Sequence, residues 1–237
     1  IEIKNKEVKS YDIGIDGYVV SNGKVDKVST TKKIENGTAV YYNPETGKKC
    51  TTAVSTPGTK GGCMKWYVVK DNSEDSTVDL ILDHNTTAKI AWNSTGNNSE
   101  MKEVKIKLEE DTSNWKSGLK PRLITANEIA KITGNTGFDA KKTGQSWFYL
   151  DSNNQTKTAN STKKSKYAWL FDYTDGCTSS GCNKVDSSTD GYWTSTRNID
   201  GSNPAWLVTG SGDLNFYYVD YPGLGVRPVI TVSKADV

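Results

Sequence analysis

Residues 191–232 hold four short apolar stretches, "GYWTST", "AWLVT", "DLNFYYV" and "GVRPVITV", separated by turn formers. β-Branched and aromatic residues fill the stretches, while Asn, Asp, Gly and Pro fill the gaps. This is the signature of strands joined by tight turns. Their close spacing predicts antiparallel hairpins, because a parallel pair needs a crossover of about a dozen residues or more. No other part of the chain restricts its fold so strongly.

Upstream, "GTAVYYNP", "CMKWYVVKD" and "STVDLILDHN" have the same strand chemistry. Two segments read instead as helices. In "SEMKEVKIKLEEDTSNW" the residues Met101, Val104 and Leu108 share one face, and Ser99 is the expected cap. Thr125-Ala126-Asn127-Glu128 spells a capping box, in which hydroxyl and carboxylate reciprocally satisfy exposed N–H groups. Ile129 and Ile132 give that second helix a buried face, and Gly134 ends it. The expected class is α+β, with two helices packed on short antiparallel strands in a loop-rich domain.

Residues 1–33, including "YDIGIDGYVV" and "GKVDKVST", are lysine-rich and alternate poorly. They are expected to form an N-terminal extension, a stalk-proximal segment or an edge hairpin, with the domain at 34–237. A chain starting at Ile1 is expected to have had a leader, or a membrane or pilus anchor, before it. No stretch approaches the roughly 18 apolar residues of a membrane span, and no signal peptide stands at the start. Residues 134–190 are polar turns with the apolar islands "SWFYL" and "YAWLFDY"; so long an irregular insertion is expected to be functional, pinned or mobile. There is no internal repeat.

Only 34% of residues are hydrophobic, but aromatic residues reach 10% and can supply core area, so a globular domain is expected rather than disorder. The net charge of +2 is spread along the chain. Lysines cluster at Lys141 and Lys142 and at Lys163, Lys164 and Lys166, without the arginines and interleaved aromatics of a nucleic-acid groove. These clusters read as solvated loops, and no nucleic-acid partner is expected.

The four cysteines form two local pairs across Gly/Ser/Thr-rich turns. Proximity favours Cys50–Cys63 and Cys177–Cys182 among the three connectivities. Disulfides imply an oxidising compartment, hence an extracellular or cell-surface location. A zinc site is disfavoured: neither spacing is CxxC, and the single histidine, His84, has no cysteine near it in sequence.

Nothing nominates an enzyme. His84 with Asp83 beside it makes no triad, no GxSxG elbow exists, and paired histidines are lacking. No Gly-rich phosphate loop joins a strand to a helix. His84 reads as a turn histidine at a strand terminus. No cofactor or metal is expected.

"PRLITANEIAKI" (121–132) resembles the helix start of C-type-lectin-like domains of the formylglycine-generating-enzyme type. "GVRPVITV" (225–232) is similar to the closing strand of those domains, and "GYWTST" and "AWLV" to the strands before it. The resemblance spans about 34–237. It extends to bacterial surface and pilin-like proteins and to the variable proteins of diversity-generating retroelements. The C-terminal region has no cysteine, so sulfatase-activating chemistry is not implied. "SNPAW" lacks the acidic ligand of the calcium–sugar signature, so calcium-dependent sugar binding is not implied either. What the resemblance implies is a scaffold for binding, and a fold alone names no ligand.

On that scaffold Tyr192, Trp193, Trp206, Val208, Leu214, Val219, Val226 and Val229 are expected in the core. Arg197, Asn198, Asp200, Asn203, Thr209, Ser211, Asn215, Tyr217, Tyr218, Asp220 and Tyr221 are expected at turns or on exposed strand faces as ligand-binding residues. Alternation leaves open which of Tyr217 and Tyr218 points inward. Tyrosine with Asn, Ser and Gly is a recurring paratope chemistry, combining rigid contact area with adaptable hydrogen bonds. Arg227 is expected to be structural. Adenine-directed mutagenesis of asparagine codons cannot yield Lys, Glu, Gln or Met, and residues 197–224 contain none of them. The chain holds 41 in 237 positions, so 28 residues of the same composition would carry about five. The expected function is a non-enzymatic, surface-displayed adhesin- or receptor-type domain, diversified at 197–224, whose ligand is a protein or glycan on another surface. The alternative is a structural pilus or surface-layer subunit that uses the same face for subunit contacts.

Overall fold

The computed structural model describes residues 18–21, 24–27, 33–51, 58–141, 147–148, 167–170, 191–209 and 213–237. Cys177, Cys182, Lys142, Lys163, Lys164 and Lys166 lie outside them. The architecture is α+β, with two α-helices, mostly antiparallel strands and one disulfide, Cys50–Cys63, in the described part.

The N-terminal hairpin, β1 (Tyr18–Ser21) with β2 (Lys24–Lys27), pairs with no other described strand. β3 (Ala39–Asn43), β4 (Lys48–Lys49), β5 (Met64–Asn72) and β6 (Thr77–Leu82) follow where strand chemistry places them. They form a six-stranded sheet in the order β4-β3-β5-β6-β14-β8, with β8 at Arg122–Leu123 and β14 at Pro228–Ser233. The C-terminal strand thus pairs along an early one, Val229 opposite Ile81 through Ser233 opposite Thr77.

A second six-stranded sheet has the order β7-β13-β10-β11-β12-β9. Its strands are β7 (Thr87–Ile90), β9 (Trp147–Phe148), β10 (Gly191–Arg197), β11 (Pro204–Thr209), β12 (Asp213–Tyr218) and β13 (Leu224–Val226). β10, β11 and β12 are the expected antiparallel hairpins. The last stretch departs from expectation: "GVRPVITV" is not one strand. β13 runs parallel to β10 and antiparallel to β7, whereas β14 joins the other sheet. The break falls at Arg227, whose side chain is wholly buried, and Pro228 lacks the N–H that would extend a ladder.

Packing explains why both sheets read as apolar runs. One cluster lies between them: Tyr67, Val69, Ile81 and Val229 from the first sheet meet Tyr192, Trp206, Val208 and Leu214 from the second. Helix α2 (Ala126–Ile132) adds Ile129 and Ala130. Trp66, Val68, Leu80 and Ile230 point to the opposite face of the first sheet, where Trp115 covers them. On the far face of the second sheet, Trp193, Ala205, Leu207 and Val226 pack under Val104 and Leu108 of α1 (Glu103–Asp111) and under Trp92. All eight predicted framework residues are buried.

The helix starts differ in mechanism. α2 has its capping box in full, and Glu128 also receives two hydrogen bonds from Arg122, at 2.9 and 2.6 Å. Burial opposes the charge of Glu128, but Arg122 outweighs it and holds the carboxyl below its ordinary range. Ser99 does not cap α1. The N-cap is Lys102, with no side-chain cap bond, and the start is fixed instead by Glu103, whose carboxylate accepts from Ser94 N and Oγ. Ser99 donates its N–H to Asn97 Oδ1 in a local turn.

Candidate binding face

The free end of the second sheet is built from the β10–β11 turn, the end of β12 and the turn after it. In register, Arg197 of β10 lies opposite Ala205 of β11, and Ala205 opposite Tyr217 of β12. Strand spacing therefore separates the Arg197 and Tyr217 main chains by about 10 Å, with a small residue between. Pro204 faces Tyr218, and Val219 N donates to Asn203 O at 2.8 Å. The turn at 198–203 and the aromatic run thereby share one edge.

Leu214 is the last β12 residue paired with β9, so Phe216–Tyr218 have a single paired neighbour strand among those described. Both tyrosines lie outside the core. Tyr217 is 48% exposed and Tyr218 55%, so the open choice between them resolves to both outward. Their rings lie 5.3 Å apart, and Tyr217 makes an edge contact with Tyr221 at 5.0 Å. Tyr221 itself is half-buried against the Trp193 cluster, anchoring the exposed pair to the core. Gly223 is needed beneath it, because a Cβ there would come within 2.4 Å of the Tyr221 ring. Phe216, which sequence reasoning left unassigned, is 36% exposed and packs edge-on against buried Trp206 at 5.4 Å.

The turn at 198–203 is held from outside. Asn98, in the segment before α1, donates its backbone N–H to Ser202 O at 2.8 Å. Its side-chain amide donates to the carbonyls of Asn198, Gly201 and Pro204 at 2.6–2.9 Å. Asn93 N similarly donates to Val219 O at 2.9 Å. No sequence signal pointed to Asn98, whose partners lie a hundred residues away.

The predicted residues therefore separate. Arg197, Asp200, Asn203, Tyr217, Tyr218 and Asp220 are exposed at this end. Thr209 and Asn215 are half-buried toward the opposite end of β11, opposite Gly191 and Leu207 respectively. Ser211 lies outside the described residues. Asn198 lies in the turn but is only 1% exposed. Its N–H is consumed by Pro204 O, its carbonyl by Asn98, and its Oδ1 by Asp200 N. Its Nδ2 is buried without a hydrogen-bond partner among the described residues. Ile199, not anticipated, is 41% exposed beside it.

His84 is fully buried just after β6, its Nδ1 paired with Asp83 and its Nε2 2.7 Å from Thr59 O. Both ring nitrogens are engaged, which fits the turn histidine read from sequence. Among the described residues no three or more His, Cys, Asp or Glu side chains converge as a metal cluster. Arg227 donates to Leu82 O, Leu170 O and Trp169 O at 2.6–2.8 Å and lies over the Tyr192 ring. Burial raises the Tyr192 hydroxyl to about pKa 12 despite the opposing charge of Arg227. Comparison with protein-family models, with curated proteins and with solved structures found no match to the chain.

Proposed function

We propose that this chain is a surface-displayed binding module of the C-type-lectin-like type, with its recognition face at the Tyr217–Tyr218 end of the second sheet. The observation that carries the reading is the adjacent, exposed Tyr217 and Tyr218, braced by half-buried Tyr221 on a strand with a packed core behind it. Exposed aromatic area on a rigid support is costly for a monomer to display without use. It is the composition that interface hot spots favour. The α+β class, with two helices preceding closing hairpins, supports the C-type-lectin-like assignment, and the Cys50–Cys63 disulfide supports an extracellular setting. The absence of Lys, Glu, Gln and Met from 197–224 supports diversification of this face.

Sequencing the locus across isolates tests the proposal. Substitutions concentrated at adenine-bearing codons of exposed positions in 197–224, beside a reverse transcriptase and a near-copy of the segment, are the expected outcome. Substitutions spread evenly over core and surface would sink diversification. Sedimentation of the purified domain separates the structural-subunit alternative. Self-association abolished by Tyr217→Ala would assign the face to subunit contacts, whereas a monomer keeps it for a foreign ligand.

A further inference from the structure

Beside the tyrosines the 198–203 turn encloses a shallow depression of about 250 Å³, lined by Asn98, Arg197, Asn198, Ile199, Gly201 and Ser202. This is smaller than the roughly 300–1,000 Å³ of sites that enclose a drug-sized ligand, so it has room for one side chain of a larger partner. Its polarity is lopsided. The carbonyls of Asn198, Gly201, Ser202 and Pro204 all turn inward onto Asn98. Four of the turn's carbonyls are therefore spent on the protein itself. The amide N–H groups of Ile199, Gly201 and Ser202 have no hydrogen-bond partner among the described residues.

Among the described residues lining the depression, the one cation is Arg197. The chain has three arginines. Arg122 is committed to Glu128 and Asp79, and Arg227 to three carbonyls. Arg197 is exposed, and among the described residues no carboxylate lies within ion-pair distance of it. Asp200 is in the same turn, and its backbone N–H is tied to Asn198 Oδ1. A guanidinium fork beside unpaired amides, with four carbonyls withdrawn, is a donor array that matches a carboxylate.

We infer that Arg197 and the 198–203 turn take the carboxylate of an Asp or Glu side chain from a protein partner, seated between Arg197 and Ile199 while the partner's backbone crosses Tyr217 and Tyr218. The inference rests on the binding-face reading above. Arginine and tyrosine together are the residues in which protein–protein hot spots are enriched, which favours a protein partner.

The test is selection of a random peptide library against the folded domain, followed by affinity measurement of the selected peptides on variants. Selected peptides are expected to be enriched in Asp or Glu. Arg197→Ala is expected to weaken them roughly tenfold or more, as loss of a charge-assisted hydrogen-bond pair does. Arg197→Lys is expected to fall between, because it keeps the charge and loses the fork. An unchanged melting temperature of Arg197→Ala verifies that folding is not the cause. Peptides that need Tyr217 and Tyr218 but show no acidic enrichment would overturn the carboxylate inference and leave the binding face standing. Acidic peptides whose affinity survives Arg197→Ala would overturn the role of Arg197. A selection that yields no binder, or binders indifferent to both arginine and tyrosines, would overturn both readings.

Discussion

Replacing Arg227 with alanine tests whether the join between the two sheets is held by one side chain. The guanidinium is fully buried and donates to the carbonyls of Leu82, Leu170 and Trp169, tying β6 to the Ala168–Leu170 turn. In Arg227→Ala the Leu170 carbonyl keeps the Tyr192 hydroxyl at 2.5 Å, whereas those of Leu82 and Trp169 lose the guanidinium. Each buried acceptor left unpaired costs about 1–3 kcal/mol, and the vacated volume adds a cavity cost. With some relaxation of the Ala168–Leu170 turn, the expected loss is about 3–4 kcal/mol. In a chain of this size that lowers Tm by about 6–16 °C. Urea unfolding should show a lower midpoint at unchanged slope, which separates lost stability from a changed unfolded state. Arg227→Met should recover the part owed to volume and leave the part owed to the carbonyls. A midpoint equal to that of the parent, with binding to a partner lost, would refute the argument and make Arg227 a contact residue.

Trp193→Ala should cost about 3–5 kcal/mol through lost buried aromatic area, whereas Tyr217→Ala and Tyr218→Ala should each stay within about 0.5 kcal/mol; denaturant midpoints decide. Breaking Cys50–Cys63 by paired serine substitution should cost about 3 kcal/mol under chain-entropy reasoning, and a thermal midpoint equal to that of the oxidised protein would contradict it. Burial opposes the charge of Asp71, Asp111 and Glu128, but hydrogen bonds and nearby cations outweigh it and hold all three below their ordinary values of 3.8, 3.8 and 4.5. In acid the folded chain then binds fewer protons than the unfolded one, so stability present above about pH 4.5 is lost as pH falls through the depressed folded values. Glu128→Gln should flatten that acid limb in a pH series of thermal midpoints.

Local grammar was legible in the sequence, and distant partners were not. The Thr125–Glu128 box was readable because all its atoms sit within four residues. β5, β6 and β11 were readable as strands because apolar chemistry marks a strand however it pairs. The split of "GVRPVITV" was not, since nothing in those eight residues says that Leu82, Trp169 and Leu170 wait to receive a guanidinium. The burial of Asn198 was not legible for the same reason: its carbonyl is held by Asn98, a hundred residues away. Strand alternation left open which of Tyr217 and Tyr218 points outward, and both do. The Cys50–Cys63 pairing was legible because only twelve residues rich in turn formers separate the two cysteines.

Asn98 grips the 198–203 turn through main-chain oxygens alone: those of Asn198, Gly201, Ser202 and Pro204. Carbonyls are common to every amino acid, so the grip does not depend on which side chains the turn carries. Positions 199, 200, 202 and 203 can therefore change identity while the trace of the chain stays put. A scaffold of this kind separates shape from chemistry. The residue that fixes the loop's path lies far outside the segment that would vary, and each new sequence inherits the same geometry without having to refold around it.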